Sequence, residues 1–264
     1  MEKLENTLTE EQKETLLLNF GKFTVKQIAE LINIKERSVS KFYQNRKMKL
    51  TKEQKRIVFL NRPTLYERNH DFFSDKSTES IYWAGFLAAD GCVIKGRLRL
   101  KIKYTDKEHV EKFKESIEYT GKIKKDCSKR LGKLHCGALI YISSHKICKD
   151  LEEIYNITEN KSLNLIPPKI KGNEIDYFIV GYFDGDGTIY NKKNYRCCRF
   201  YGTKEINTWI KNRIDTLYGK NSGSIFKKEN IWCYELNPKA TEFFMKYYGE
   251  LNSPKLTRKW KNDE

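Results

Sequence analysis

Two acidic residues, Asp90 and Asp186, each stand directly before a glycine at the end of a short apolar run. The runs read YWAGFLAADG over residues 82–91 and FIVGYFDGDG over residues 178–187. Carboxylate oxygens are the ligands that Mg²⁺ prefers, and a bound cation would also offset the repulsion between two neighbouring carboxylates. If the fold brings the two residues together, the pair predicts chemistry assisted by a divalent metal ion.

Both runs have the composition of buried helices, because their residues are apolar on every side. Small residues recur four positions apart in each run, Gly85 with Ala89 and Gly181 with Gly185. Small residues at this spacing share one helix face and allow two backbones to approach closely. The runs are too short to cross a bilayer, which needs roughly 20 residues. We therefore expect two helices that pack against each other through their glycine faces.

The ends of the two helices indicate the metal site. Gly91 and Gly187 can take the left-handed conformation that ends a helix, which places Asp90 and Asp186 in the last turn. A carboxylate is disfavoured there by roughly 0.3–1 kcal/mol, and parallel helices would add repulsion between the two acids. A shared Mg²⁺ would offset both costs. The alternative, an ordinary Asp-Gly turn on a core helix, explains one copy more readily than two.

The paired runs resemble the two motifs of the LAGLIDADG homing endonucleases, in the double-motif, monomeric form. The resemblance covers residues 70–264, and Asp90 and Asp186 match the acidic metal-binding position of that family. We expect the main-chain carbonyl groups of Ala89 and Gly185 to assist them as metal ligands.

The first motif departs from the family signature at Ala88, where an acidic residue is common and where the second motif keeps Asp184. That position does not hold the metal in the family, so the predicted metal site is unaffected. Matched features around Lys161 and Lys255 follow the two halves of the chain. By its place each lysine resembles the family's basic residue near the scissile phosphate. A solvent-exposed lysine without such a role is the alternative at both positions.

The predicted elements repeat in the same order after each motif, as expected for an internal duplication. Each half predicts an αββαββα unit, and the resemblance implies an α+β fold in which two such units form a pseudo-twofold saddle. The first half includes strands at 121–125 and 139–143, and a capping box of Thr105 with Glu108 opens a helix that ends near Tyr119. The seven cysteines show no zinc spacing, so we expect them to be reduced and mostly buried. The four histidines also lack metal-ligand spacing.

Composition divides the chain into four parts. Residues 1–48 predict a small all-α domain, and residues 49–76 are mostly polar and predict a linker. The two motif-containing halves follow at 77–166 and 167–264. Near the end of the linker, the Phe72-Phe73 pair is expected to pack onto the domain that follows.

The first domain predicts three short helices. Ala29, Asn33 and Val39 have the spacing at which a helix-turn-helix module places a small residue, a turn residue and an apolar anchor. The chain resembles that module, whose later helix enters the major groove, although an ordinary three-helix bundle with a solvated basic face is the alternative. The outward residues suited to phosphate or base edges are Arg37, Ser38, Lys41, Gln44 and Asn45.

The formal net charge of +16 and the pI near 9.4 point first to nucleic acid as partner and second to an anionic membrane surface. In the strand predicted at 97–103, apolar residues alternate with a basic face made of Arg97, Arg99, Lys101 and Lys103. Like charges in register repel each other, so an anion such as a duplex backbone is favoured over simple solvation of this face. The other predicted DNA contacts in the sheets are Lys122, Lys124, Tyr195, Arg199 and Tyr201. Lys103 and Tyr201 occupy matching strand positions, at which the family often has a polar residue that orders water.

These observations predict a site-specific endonuclease that hydrolyses both strands of duplex DNA across the minor groove, with Lys161 and Lys255 offsetting the developing charge. We expect Mg²⁺ or Mn²⁺ as cofactor, with Ca²⁺ as a non-catalytic substitute. The resemblance adds a saddle seated over the major groove, short 3′ overhangs, and a mobile genetic element such as an intron as context. Two alternatives stay open, a non-cleaving DNA-binding regulator and an intron RNA maturase on the same scaffold.

The expected partner is a long, asymmetric duplex site bound by a monomer. The sequence contains neither a signal peptide nor a membrane-spanning run, so we expect the protein inside a prokaryotic cell or an organelle and not secreted.

Overall fold

The structure, a computed structural model, describes residues 8–60, 66–130, 132–192 and 195–260. The chain divides into two compact units, Met1–Leu65 and Tyr66–Glu264. Within the described residues no helix is both long enough and apolar enough to span a bilayer.

The first unit contains four helices in its described part. They are α1 Glu10–Asn19, α2 Val25–Leu31, α3 Glu36–Asn45 and α4 Lys52–Leu60. Thr9 and Thr24 each form a capping box with the glutamine three residues later, which fixes where α1 and α2 begin. Ala29 and Val39 are buried, and Asn33 takes a left-handed backbone conformation with φ of 52° in the turn between α2 and α3. The predicted helices are thus present, while DNA binding by this unit stays a prediction.

The predicted linker at 49–76 is not an irregular tether. Thr51 accepts a hydrogen bond from the Gln54 amide, and the Gln54 side chain accepts one from the Thr51 amide, so α4 begins here in spite of its polar composition. From Tyr66 onward the chain belongs to the second unit. Phe72 and Phe73 are buried in its core, as expected.

The second unit is built from two αββαββα repeats. The first consists of α5 Thr78–Asp90, β1 Gly91–Ile94, β2 Arg97–Lys103, α6 Lys107–Ser116, β3 Lys124–Arg130, β4 Lys133–Ser143 and α7 His145–Tyr155. The second consists of α8 Glu174–Asp186, β5 Gly187–Lys192, β6 Tyr195–Gly202, α9 Lys204–Tyr218, β7 Gly223–Lys228, β8 Ile231–Leu236 and α10 Pro238–Glu250. A short helix, α11 Thr257–Trp260, ends the described chain.

Each repeat contributes one four-stranded antiparallel sheet, with strand orders β1-β2-β4-β3 and β5-β6-β8-β7. The identical order confirms the predicted duplication and the α+β class. In β2 the residues Leu98, Leu100 and Ile102 are buried against the helices, so the alternate residues lie on the opposite face.

Two local predictions in the first repeat are wrong. Strand β3 begins at Lys124 instead of at residue 121, so Lys122 precedes the strand. Thr105 does not cap α6, because β2 runs into a 3₁₀ turn at Tyr104–Asp106 and the helix begins only at Lys107 without a side-chain cap. Its counterpart Thr203 does cap the corresponding helix, α9, by accepting from the Ile206 amide.

The expectation that all seven cysteines are reduced is also wrong. Cys127 on β3 and Cys136 on β4 are directly opposed in the antiparallel register, with Cα atoms 4.0 Å apart, and form a disulfide. The expected burial holds for most of the others, among which Cys148, Cys198 and Cys233 are buried.

The two motif helices pack backbone to backbone, as the glycine spacing predicted. A Cβ atom added to Gly85 would lie 2.1 Å from the Phe178 carbonyl oxygen, and one added to Gly181 would lie 1.9 Å from the Tyr82 carbonyl oxygen. The contact is reciprocal, because each glycine faces the backbone one turn away on the other helix. No side chain at either position fits between the helices.

This contact predicts that Gly181→Ala destabilises the second unit by about 3 kcal/mol or more, because the methyl group forces the two backbones apart. Chemical denaturation followed by circular dichroism measures the effect. Gly249→Ala is the matched control, since the added Cβ in α10 would lie no closer than 3.7 Å to the Trp260 ring. Equal stability of the two variants would contradict the proposed close contact.

Candidate active site

Asp90 and Asp186 are the last residues of α5 and α8, and the chain turns directly into β1 and β5 after them. The expected left-handed glycines do not occur, because Gly91 has φ −77° and ψ 162° and Gly187 has φ −79° and ψ 153°. These values are extended backbone that any residue adopts. Glycine is required for space instead, since an added Cβ would lie 2.6 Å from the Leu87 carbonyl oxygen at Gly91 and 2.4 Å from that of Phe183 at Gly187.

The close helix contact brings the two carboxylates into electrostatic contact. Desolvation by the surrounding protein and, after it, the charge of Asp186 raise the pKa of Asp90 to about 6, although part of Asp90 remains exposed to solvent. Burial also raises the pKa of Asp186. Both shifts are opposed by the positive charges of Lys161 and Lys259. The expected proximity of the acids is therefore present in the folded chain.

Two almost fully buried lysines reach the ends of the motif helices, each with 6% of its surface exposed. Lys161 Nζ donates hydrogen bonds to the carbonyl oxygens of Ala88 at 2.6 Å and Ala89 at 2.7 Å. Lys259 Nζ donates to the carbonyl oxygens of Phe183 at 2.7 Å, of Gly185 at 3.3 Å and of Gly187 at 2.5 Å.

The last carbonyl groups of a helix lack intrahelical partners and carry partial negative charge, so an ammonium group is a suitable cap for both helices. Desolvation lowers the pKa of both lysines, to about 8 for Lys259, while the two aspartates raise it. The lysines therefore supply part of the compensation that the sequence reasoning assigned to a divalent cation alone.

Lys255, the predicted counterpart of Lys161, does not lie at the acidic pair. Its Nζ atom donates to the carbonyl oxygen of Gly249 at 2.6 Å and to that of Leu251, at the end of α10. Lys259 takes the corresponding place. Spacing could not separate the two, because Lys161 lies 71 residues after Asp90, whereas Lys255 and Lys259 lie 69 and 73 residues after the second aspartate.

The carbonyl groups of Ala89 and Gly185, predicted to assist a metal ion, already accept hydrogen bonds from the two lysines. A carbonyl oxygen has two lone pairs, so each retains one for a further partner. Across the described residues no group of three or more His, Cys, Asp or Glu could hold a metal ion. A cation at the carboxylate pair would thus need water or substrate oxygens to complete its coordination.

A polar cleft of about 380 Å³ adjoins the Asp90 carboxylate. Besides Asp90 itself, its charged and titratable lining consists of Lys101, Lys103, Asp106, His135 and Arg258. His135 and Arg258 were not singled out from the sequence. Both become neighbours of Asp90 only through tertiary structure, His135 from β4 and Arg258 from the last helix.

The predicted basic face of β2 is present, with Arg97 and Lys103 exposed and Arg99 and Lys101 half-buried. The repulsion along it is partly relieved within the protein, because Lys101 Nζ lies 2.7 Å from Asp126 Oδ2 on β3. In the second sheet Arg199 forms an ion pair with Glu235, and Tyr195 is exposed and Tyr201 half-buried.

The remaining predicted contacts lie at the surface of their own units. Lys122 and Lys124 are exposed in the second unit. In the first unit Ser38 is half-buried, and the other predicted contacts on α3 are exposed, namely Arg37, Lys41, Gln44 and Asn45. This exposure is compatible with binding a ligand and does not identify one.

No protein-family model matches the sequence, and no curated protein matches it. The structure is similar to that of the homing endonuclease I-WcaI bound to its DNA recognition sequence, with 17% identity and a TM-score of 0.51 over 73% of this chain and 88% of that chain. Weaker similarities include I-DmoI in complex with DNA and Ca, with 16% identity, a TM-score of 0.42 and coverage of 70% and 94%. Another is the N-terminal LAGLIDADG domain of WhiA, with 11% identity, a TM-score of 0.43 and coverage of 72% and 93%. The chain has the LAGLIDADG homing-endonuclease fold, which confirms the fold that the paired motifs predicted.

The raised pKa of Asp90 has a consequence for stability. Because the folded state holds this proton more tightly than the unfolded state, stability falls as the pH rises from about 4 through the folded pKa of about 6. Asp90→Asn removes the penalty, so we expect a gain of about 1 kcal/mol at pH 7.5, or ~2–4 °C in Tm, and none at pH 4. The gain is smaller than the full shift implies, because one side of the carboxylate is exposed to water.

Thermal denaturation at the two pH values tests this expectation. Asp126→Asn is the control, because the pKa of Asp126 is shifted in the opposite direction: Lys101 lowers it. Replacing the Asp126 carboxylate should therefore not stabilise the protein at pH 7.5. An Asp90→Asn variant less stable than the parent at pH 7.5 would rule out the unfavourable ionisation.

Proposed function

We propose that this protein is a divalent-metal-dependent, site-specific endonuclease that hydrolyses both strands of duplex DNA. The observation that carries the proposal is the side-by-side placement of Asp90 and Asp186 at adjoining helix ends, with a buried lysine behind each. The fold shared with a DNA-bound homing endonuclease supports the choice of DNA as substrate.

The residues present fit a hard divalent cation. Two carboxylates whose ionised forms are disfavoured by burial are stabilised by a positive ion, and Asp90 and Asp186 would hold it with the free lone pairs of Ala89 and Gly185. When bound, Mg²⁺ or Mn²⁺ would polarise the phosphate and favour formation of hydroxide from water, whereas Ca²⁺ would occupy the site without supporting hydrolysis.

The protein's own groups have separate tasks in phosphodiester hydrolysis. The pKa of about 6 leaves Asp90 ionised for the most part at neutral pH, as a metal ligand must be. Lys161 and Lys259 place two ammonium groups beside the carboxylates, where they offset the negative charge that develops on the phosphate and the leaving oxygen. The two aspartates are proposed to serve one strand each across the minor groove, and the resemblance to the homing endonucleases implies short 3′ overhangs.

DNA is proposed to lie along the outer faces of the two sheets. Arg97, Arg99, Lys103 and Lys124 are available there for phosphates, and the Lys101–Asp126 pair can exchange its internal partner for DNA. The first unit is proposed to add contacts through α3. The substrate is then a long and asymmetric site bound by a monomer inside the cell.

Cleavage of randomised duplex libraries in Mg²⁺, with sequencing of the cut ends, tests the proposal. Asp90→Asn and Asp186→Asn should each lower the cleavage rate at least ~100-fold while the Kd for DNA stays within about 3-fold. Glu153→Gln, which removes an exposed carboxylate on α7, is the control and should cut normally. Specific binding by the parent protein without any cut would favour a DNA-binding regulator, and preferred binding of structured RNA would favour a maturase.

The two candidate lysines can be separated by a matched pair of substitutions. Lys259→Met should lower the single-turnover cleavage rate at least ~10-fold, because the ammonium group beside the acidic pair is lost. Lys255→Met should change the rate by less than about 3-fold, since that ammonium group caps α10 instead. Circular dichroism confirms that both variants fold, and the reverse order of rates would restore Lys255 as the catalytic lysine.

A further inference from the structure

Asp184 is a buried carboxylate of the second motif that the proposed reaction does not use, and the first motif has Ala88 in its place. Its residue surface is 1% exposed. A charged group in such a position is strongly disfavoured unless its lone pairs are filled by donors. Burial raises the pKa of Asp184, and its hydrogen bonds and the charge of Lys259 oppose the rise.

Three donors from two parts of the chain, α5 and the segment 254–260, converge on this carboxylate. The Tyr82 hydroxyl group of α5 donates to Oδ2 at 2.7 Å, and the Leu256 amide donates to the same oxygen at 2.7 Å. The Trp260 indole donates to Oδ1 at 2.6 Å. Asp184 itself lies on α8, so one side chain joins both motif helices to the segment 254–260.

A second group orients the Tyr82 hydroxyl. The ring of His109 lies with Nε2 2.9 Å from the Tyr82 oxygen, and burial lowers the pKa of His109 to about 3, which keeps the ring neutral. Because the hydroxyl proton is directed to Asp184, Nε2 must donate and Nδ1 must be the bare acceptor. Nδ1 is buried without a hydrogen-bond partner, in agreement with a ring that carries its proton on Nε2.

The segment held in this way carries two of the positive charges at the candidate active site. Lys259 reaches the carbonyl groups at the end of α8, and Arg258 Nε lies 3.1 Å from both carboxylate oxygens of Asp106 in the first half. Asp106 and Arg258 line the cleft beside Asp90. The four-residue helix α11 is too short to be stable alone, so its position depends on such tertiary contacts.

We propose that Asp184 is a positioning residue that locks the segment 254–260 onto both motif helices and thereby places Lys259 and Arg258 beside the acidic pair. The first half has no such carboxylate, and Lys161 lies instead in a 3₁₀ turn at Lys161–Leu163 that directly follows the αL residue Asn160. The catalytic consequence rests on the proposed nuclease function, whereas the locking of the segment does not.

Asp184→Asn tests the lock, because the amide keeps the size of the side chain but places an N–H group against the converging donors. Hydrogen exchange followed by mass spectrometry should show at least a ~10-fold faster exchange in residues 254–260, including the Leu256 amide, with the strands of both sheets unchanged. Trp260→Phe, which removes the indole donor and part of the ring packing against Phe183 and Phe244, should give the same pattern more weakly and serves if Asp184→Asn does not fold.

Asp176→Asn is the matched control. Asp176 is equally buried on the same helix, but its hydrogen bonds go to Arg213, Tyr247 and Tyr248 and none goes to the segment 254–260. Unchanged exchange of the segment in Asp184→Asn, or the same faster exchange in Asp176→Asn, would overturn the proposal whether or not the protein cuts DNA.

The catalytic consequence has its own measurement on full-length protein with a cleavable duplex found in the library. Asp184→Asn should lower the single-turnover cleavage rate about 10-fold while the Kd for DNA stays within about 3-fold. Asp176→Asn should not lower the cleavage rate while leaving the Kd unchanged. Faster exchange without any loss of rate would overturn the positioning of Lys259 and Arg258. Faster exchange in a protein that cuts no DNA at all would support the lock and refute the proposed nuclease function instead.

Discussion

The close approach of two helix backbones is the constraint on which the second unit depends. Gly85 and Gly181 each face a carbonyl group of the opposite helix at a distance that excludes even a methyl group. Because no side chain separates the helices, their carboxyl-terminal ends lie together, and the charge of Asp186 acts on Asp90. Helices separated by ordinary side chains, with axes 8–10 Å apart, would hold the same two residues without this coupling.

The folded chain tolerates the acidic pair because it buries two cations with it. Lys161 and Lys259 satisfy carbonyl groups that the helices leave without partners, and their charges oppose the repulsion between the aspartates. The same groups thus complete two helix ends and create a field suited to an anionic substrate. In the proposed reaction each lysine would combine this structural role with a chemical one.

The sequence was sufficient for features that repeat or that follow from local geometry. The glycine spacing, the acidic pair, the order of elements and the basic face of β2 are all present in the structure. What could not be read depends on long-range contacts. Lys255 and Lys259 are equally plausible by spacing, and only the path of the chain after α10 shows which of them reaches the acidic pair. Glycine is needed at position 91 because of the limited space beside Leu87, and not because of its backbone angles.

Other differences have the same origin. The disulfide between Cys127 and Cys136 depends on the register of β3 with β4, and the late start of β3 left that register hidden. The position of Asp184 does not bind metal in the family that the motif resembles, yet donors from α5 and from the segment 254–260 converge on it. The only signal for this role in the sequence is that the second motif has an acidic residue, Asp184, where the first motif has Ala88.

The two sheets also end differently at their hairpins. Towards its hairpin, β4 extends four residues past Gly137, the partner of Lys103, and the first of these four residues is the disulfide-bonded Cys136. Strand β8 extends only two residues past Cys233, the partner of Tyr201. Two residues of strand add about 7 Å, which is the rise of about two nucleotides along a duplex. On the proposed DNA substrate, the β3–β4 hairpin would therefore reach about two nucleotides further from the centre than the β7–β8 hairpin. The two halves of a palindromic site would then not be contacted equally.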